Sequence, residues 1–428
     1  MCNELLENID RVPDLDPELK KRYIGEAKVL RAYNYYELYT KFGDIPYTTK
    51  VLSIKESMSI ARTAKATVIA NILADLDEVI NGNYLPTSYD ADNKGRITRW
   101  AAMAIKAKIY LFEGNWTQVK NITSTIMTEG GFKLFGSYAG LFEIANEYNS
   151  EVILDAQYRP TSREHQMMYV FLPPTLGGYS QLSPLQELVD SYIMLDGKTI
   201  KETGTSFDES HPYANRDPRL KATVMYTGNS YTLADGTEVV INCEKGEGKD
   251  GYGVGSDCSA TGYYIKKYWD NTYRATLYSG LNPILIRYAD ILLMNAEALA
   301  ELGELDKTAW DATIKPIRAR AGFTLASALE FPEGASKDKL IEIVRNERRS
   351  ELALEGHRHK DIIRWRIADK VLNGWCHGLK TNENEVVGTD NGYVRVENRA
   401  FNANKHYLWP IPQAERDLNA NLVQNPNW

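Results

Sequence analysis

Between Pro283 and Gly322 the chain carries a segment that cannot bury its own apolar surface. Ile284, Tyr288, Ile291, Leu292, Ala296 and Leu299 recur at helical spacing and give one apolar stripe. Gly303 then breaks the pattern, and Glu304-Leu305-Asp306 opens a second helix with acidic residues where the helix dipole favours them. Two helices joined at a small residue, each with one apolar face, are stable only when stacked on similar pairs. A chain containing such a unit should therefore contain others.

Others are present. A helix over Thr98–Glu113, a turn at Gly114-Asn115 and a helix over Trp116–Met127 match it in register, with Ala107 on Ala296, Gly114 on Gly303 and Trp116 on Leu305. A strong helix from Pro17 to Phe42, stopped by Gly43 and Pro46, places Tyr23, Ala27, Leu30, Asn34 and Leu38 on one face. Across a long connection it pairs with a helix over 63–80 whose stripe is Val68, Ile72, Leu76, Val79 and Ile80. A last pair spans 337–373 and turns at Gly356. The expectation is a mainly α fold in which four tetratricopeptide-like helix pairs, at about 18–80, 98–128, 284–322 and 337–373, form a platform. Residues 150–282, rich in Gly, Pro, Ser and Asn with short β-like runs, form a long irregular insertion packed on it, and the tail 374–428 is again irregular. Residues 244–257 are expected to be a mobile hairpin tip. No linker separates domains, so residues 1–428 are expected to form a single unit. Its helical part is 1–130, and 131–428 holds the insertion 150–282 and the helix pairs 283–373.

Composition excludes several function classes. A net charge of −7 with Lys and Arg dispersed argues against nucleic acid or an anionic membrane surface as partner. No apolar run reaches 18 residues, the length of a membrane-spanning helix. The four cysteines have no metal-ligand spacing with the six histidines. Cys243 and Cys258 flank one Gly-rich loop, as a local disulfide in an exported chain or as two free thiols. Acidic loops at Asp90-Ala91-Asp92 and from Lys249 to Asp257 could hold a surface calcium ion, but neither has the spacing of a calcium loop, so no metal or cofactor is expected.

No catalytic motif is visible. The carboxylates Glu347, Glu351, Glu355 and Asp361 could suggest a glycosidase pair. They recur beside Arg348, Arg349, Arg358 and Arg364, which would hold them ionised, so the run reads as an inter-helix ion network.

Five segments resemble, in order, the SusD/RagB family of surface-exposed nutrient-binding lipoproteins of the Bacteroidota outer membrane. They are GEAKVLRAYNYYELYTKFGDIPY (25–47), SPLQELVDSYIMLDGK (183–198) with NRDPRL (215–220), PILIRYADILLMNAEALAELG (283–303), RNERRSELALEGHRHKDIIRW (345–365) and YLWPIPQAERDLNANLVQNPNW (407–428). The resemblance implies a SusD-like platform, no catalysis, and capture of a glycan at the cell surface for delivery to a SusC-type TonB-dependent outer-membrane barrel. Family members usually carry a lipoprotein signal, a lipidated cysteine and a further helical stretch before the first of these segments. The sequence is therefore expected to be N-terminally truncated, with the membrane anchor outside it.

Sugar rings present apolar C–H faces and hydroxyls, so they stack on exposed aromatic planes and bond to amides, carboxylates and guanidinium groups. Tyr is unusually abundant, at 27 against 10 Phe, and most are expected to be structural. The loop aromatics are Tyr84, Tyr89, Tyr169, Tyr179, Tyr213, Tyr231, Trp269, Tyr273, Tyr278 and Trp375. Two stretches combine aromatics with polar groups: Trp269, Asn271, Tyr273 and Arg274 in one, Tyr179 and Gln181 in the other, and these six are the expected glycan ligands. Arg31, Arg216, Asp217, Arg287 and Arg348 are assigned to structure. Two other functions fit parts of the pattern, a glycoside hydrolase on a helical scaffold and a peptide-binding tetratricopeptide protein.

Overall fold

The computed structural model describes residues 1–273, 276–381 and 387–428; the side chain of Tyr273 is also outside the described set. The fold is mainly helical with a few short strands. Two compact units emerge, one of residues 1–131, 359–372 and 401–428, the other of 132–358 and 373–400. The pair expected at 337–373 is thus divided between them. No helix among the described residues is long and apolar enough to cross a membrane.

The first unit is built on helices Pro17–Phe42, Lys65–Asn81, Arg99–Phe112 and Trp116–Glu129, each packed on the next. Their ends follow from local chemistry. Asp16 caps the first by accepting the Leu19 N–H at 2.8 Å, Pro17 occupies the first helical position, and Gly43 at φ +70° ends it. The Lys65–Asn81 helix buries Val68, Ile72, Leu76, Val79 and Ile80, the stripe expected of it. The Pro17–Phe42 helix departs from expectation. Leu30 and Leu38 are exposed, and the buried residues include Gly25, Val29, Ala32, Tyr36 and Tyr39. The C-terminal tail is pinned to the end of this helix: Trp409 N–H donates to the Lys41 carbonyl and Asn425 Nδ2 to the Phe42 carbonyl.

In the second unit the helix expected from Pro283 begins five residues later. Ile284–Arg287 is a strand, paired antiparallel with Val152–Asp155, and the helix runs Tyr288–Leu302. Gly303 ends it in the left-handed region at φ +75°, and two short helices, Lys307–Ala312 and Ile314–Ala321, follow in place of one. The tail holds a three-stranded antiparallel sheet of Gly374–Lys380, Tyr393–Arg399 and Thr389–Asp390, where an irregular segment was expected. The hairpin of the insertion is Ser230–Thr232 with Glu238–Val240, so 244–257 is not its tip. All four cysteines are free; burial first pushes the Cys243 thiol up to about 12.

The core of this unit is rich in tyrosine. Tyr138, Tyr192, Tyr231, Tyr263, Tyr264 and Tyr268 are buried, and hydroxyls of the set are used internally, Tyr231 donating to the Ile265 carbonyl at 2.7 Å and Tyr264 to that of Asp250 at 2.6 Å. Beside it lies a buried ion cluster. Glu351 receives Arg219 at 2.8 Å, Arg287 at 2.6 Å and Arg320; Glu347 receives Arg219 and Arg318; Glu355 receives Arg287 and Lys267. Asp217 and Glu151 complete it. An ion network was expected, but its cations come from distant segments. Of the nearby arginines, Arg364 does pair with Asp361, whereas Arg348 reaches Asp290 and Arg349 donates to the Glu187 carbonyl.

Candidate functional site

The loop-rich part of the second unit presents three exposed tyrosines held by backbone bonds. Residues 165 and 279 exchange N–H···O=C bonds of 2.9 Å in both directions, tying the segment that begins at His165 to the one that ends at Leu281. From there the short helix Met167–Phe171 carries Tyr169. The chain reverses through Pro173–Gly178, and the Tyr179 N–H donates back to the Tyr169 carbonyl at 2.9 Å. Gly178 is required at this reversal, because a Cβ there would lie 2.1 Å from the Leu172 carbonyl oxygen.

The result is a pair of tyrosine rings with centroids 4.3 Å apart at 34°. Tyr169 and Tyr179 are 36% and 38% exposed, and Tyr278, next to the bridging Ser279, is 42% exposed. Such exposure of flat rings on a braced backbone is unlike the tyrosine core beneath. The Tyr169 phenol is raised, first by hydrogen bonding with the Tyr179 hydroxyl, then by desolvation and by smaller contributions that include Asp257 and Tyr278. Tyr169 and Tyr278 belong to the loop aromatics but were not singled out from sequence; adjacency to the two chosen stretches was the only signal.

The expected ligand residues fall as follows. Tyr179 is in the exposed pair, Gln181 is exposed two residues on, and Leu182 is tied to Val170 by a 2.9 Å backbone bond. Asp270 is buried and accepts from Thr272 Oγ1 at 2.6 Å and from Ser279 Oγ, so the stretch holding half-buried Asn271 is fastened beside Tyr278. Trp269 is half-buried, donating Nε1–H to the Thr232 carbonyl at 2.8 Å and packing edge-on to Tyr231. Its indole N–H is therefore already used. Arg274 and the Tyr273 side chain lie outside the described residues. The stretch from Trp269 is thus fastened to Ser279, whose backbone bridge to His165 leads into the helix that carries Tyr169, and Tyr179 is bonded back to that helix.

The remaining loop aromatics are engaged in structure. Tyr84 bonds Glu78, Tyr89 bonds the Ile97 carbonyl, Tyr213 stacks on Tyr226 at 3.9 Å, and Trp375 lies under Arg395. Among the described residues no group of three His, Cys, Asp or Glu side chains is placed to hold a metal. Of the carboxylates considered for catalysis, Glu347, Glu351 and Glu355 are buried and held ionised. Against the cost of burial, Arg287 and Lys267 lower Glu355 to about 2, and Arg320, Arg287 and Arg219 push Glu351 lower still.

Comparison with known proteins gives the family. Residues 141–428 match the model described as the SusD family, and residues 1–111 match one described as starch-binding associating with outer membrane. The SusD-like protein P25 of Formosa agariphila is 28% identical, the match covering 99% of this chain and 76% of that protein. A crystal structure of a SusD-like carbohydrate-binding protein from Bacteroides fragilis is 30% identical, with a TM-score of 0.86 over 99% of this chain and 83% of that one. A second SusD-like protein from the same species gives 27% identity and a TM-score of 0.84 over 100% and 83%. Members of this family bind carbohydrate and are not enzymes. On a family model that spans two thirds of its length and a fold shared from end to end, the chain belongs to the SusD family.

Proposed function

We propose that this chain captures a glycan at the bacterial cell surface and delivers it to a SusC-type TonB-dependent barrel in the outer membrane. The observation that carries the reading is the exposed, backbone-braced set of Tyr169, Tyr179 and Tyr278 in a chain of the SusD family. Aromatic faces of this kind stack on the C–H faces of sugars, and Gln181 and Asn271 supply amides beside them for the hydroxyls. Trp269, with its indole N–H committed, would contribute an edge of the ring to the floor, and Tyr273 and Arg274 belong to the same stretch. Similar proteins described as a laminarin-binding SusD-like protein and as surface glycan-binding proteins point to β-glucans and related polysaccharides as the first ligands to try.

Hydrolysis is the weaker reading. A general acid needs a carboxyl with a raised pKa, whereas Glu351 and Glu355 are lowered by buried guanidinium partners. Incubation with laminarin, starch and other polysaccharides should release no reducing sugar; release that disappears when one carboxylate is replaced would overturn the proposal. The delivery step is tested by isolating the protein from membranes of its source and asking whether a TonB-dependent barrel accompanies it.

A further inference from the structure

The first unit contains a cavity of about 680 Å³ unrelated to the tyrosine cluster. It lies at the end of the Pro17–Phe42 helix, where Tyr39, Phe112 and Tyr407 form aromatic walls. Four cations line it: Arg62, Lys65, Arg364 and Arg366. Two are neutralised locally, Lys65 by Glu113 at 2.9 Å and Arg364 by Asp361 at 2.9 Å.

The other two are not. Arg62 is fixed by the carbonyls of Asp44, Phe42 and Val423 and by Asn425 Oδ1, all neutral acceptors. The nearby Asp44 carboxylate accepts the Lys65 N–H at 2.8 Å. Arg366 lies over the Tyr407 ring at 4.4 Å, and among the described residues neither arginine has a carboxylate within ion-pair distance. Four acids, Asp44, Glu113, Asp361 and Asp369, the last accepting the Tyr407 hydroxyl at 2.9 Å, balance the four cations in number, but none is within ion-pair distance of Arg366. Arg366 also adopts φ +55°, a left-handed conformation that a non-glycine residue takes at a cost. Arg366 is exposed, and among the described residues its guanidinium makes no hydrogen bond to a protein acceptor.

A second, independent feature points to a ligand. The Tyr39 hydroxyl is buried at 1% exposure and makes no well-formed hydrogen bond; burial first, then Tyr36 and the Glu113 carboxylate beside it, raises its pKa. Orphaned buried hydroxyls are rare because each costs its lost hydration.

We infer that this cavity binds a small monocarboxylate with a hydroxylated, ring-shaped body, of the chemical class of a hexuronic acid. Arg366 would take the carboxylate through charge-assisted hydrogen bonds, with Arg62 supplying fixed positive field. The Tyr39 hydroxyl would gain its missing partner from a ligand oxygen. The aromatic walls suit the C–H face of a ring, and the volume is that of ordinary small-molecule sites.

Titration calorimetry of the full chain with sodium D-glucuronate, D-glucose and N-acetylglycine at constant ionic strength tests this. Saturable binding of glucuronate is expected, with little or none for glucose. Arg366→Gln should weaken it by about tenfold or more through loss of the charge-assisted bonds, and Tyr39→Phe should weaken it while preserving the fold. A Tyr169→Ala/Tyr179→Ala/Tyr278→Ala variant should bind glucuronate as the parent does, which separates this site from the proposed glycan surface. The inference is overturned by absence of saturable glucuronate binding, by equal binding in Arg366→Gln, or by N-acetylglycine binding as tightly, which would make the cavity a peptide-carboxylate site.

Discussion

Replacing Glu351 by Gln tests whether the buried ion cluster holds the second unit together. The change keeps shape and removes one charge from a carboxylate on which Arg219, Arg287 and Arg320 converge. At an effective dielectric of about 20, each such contact is worth roughly 4–5 kcal/mol in gross attraction. The desolvation of a buried carboxylate, several kcal/mol, offsets part of this, and the three arginines keep other partners in Asp217, Glu347, Glu151 and Glu355. What remains is a cluster with one uncompensated buried positive charge, a defect that costs about 3–5 kcal/mol. For a unit of this size that corresponds to a fall in Tm of roughly 10 °C. Differential scanning calorimetry measures it, and because the site is dry the loss should change little with salt. A variant melting within about 2 °C of the parent would refute the reasoning. The exposed pair Lys307–Asp311 is the control, since Asp311→Asn should leave Tm in place.

Three further outcomes follow from the same structure. Gly178→Ala should displace the Tyr169–Tyr179 turn, because its Cβ would sit 2.1 Å from the Leu172 oxygen. It should cost about 1–3 kcal/mol in a urea titration and weaken glycan binding. Glu355 has its folded pKa depressed to about 2, so its contribution is present above 4.5 and lost as pH falls toward 2; the urea midpoint should decline across that window, and a flat profile would contradict it. His377 sits between Glu187 at 2.7 Å and Asp390 at 3.1 Å. Burial lowers its pKa, but bonds to Asp390 and Glu187 outweigh this and raise it above 6.5. Its stabilisation is complete below pH 6.5 and fades as pH rises through the folded value, and an NMR titration showing a pKa at or below 6.5 would contradict it.

The helix pairs were legible where local chemistry decides. Pro17 and Gly43 bounded the first helix, the stripe from Val68 to Ile80 set the second, and Gly303 marked a turn that the structure places in the left-handed region. The buried face of Pro17–Phe42 was not legible, because small residues such as Gly25 and Ala32 permit close packing while Leu30 and Leu38 stay outside. Period-2 and period-3.6 patterns overlap in a short run such as Ile284–Arg287, so its pairing with Val152–Asp155 was read as more helix. The sheet partner of Gly374–Lys380 lies beyond a polar stretch, which disguised both strands. In the ion cluster the carboxylates were visible but their partners were not, since Arg219, Arg287 and Lys267 come from segments distant in sequence. The tyrosine site has the same character: Tyr179 was selected, but its neighbours Tyr169 and Tyr278 are assembled by the bridge at Ser279, which no local pattern announces.

The central claim is that an aromatic surface, and not a catalytic pair, carries the function. Affinity electrophoresis in native gels containing laminarin, starch or another polysaccharide, run with the parent and with the Tyr169→Ala/Tyr179→Ala/Tyr278→Ala variant, tests it most directly. The account predicts retardation of the parent by at least one polysaccharide and its loss in the variant, with a cooperative melting transition retained to show that the variant is folded, since none of the three rings belongs to the buried core. Retardation of the variant equal to that of the parent, or a parent that no polysaccharide retards, would contradict it.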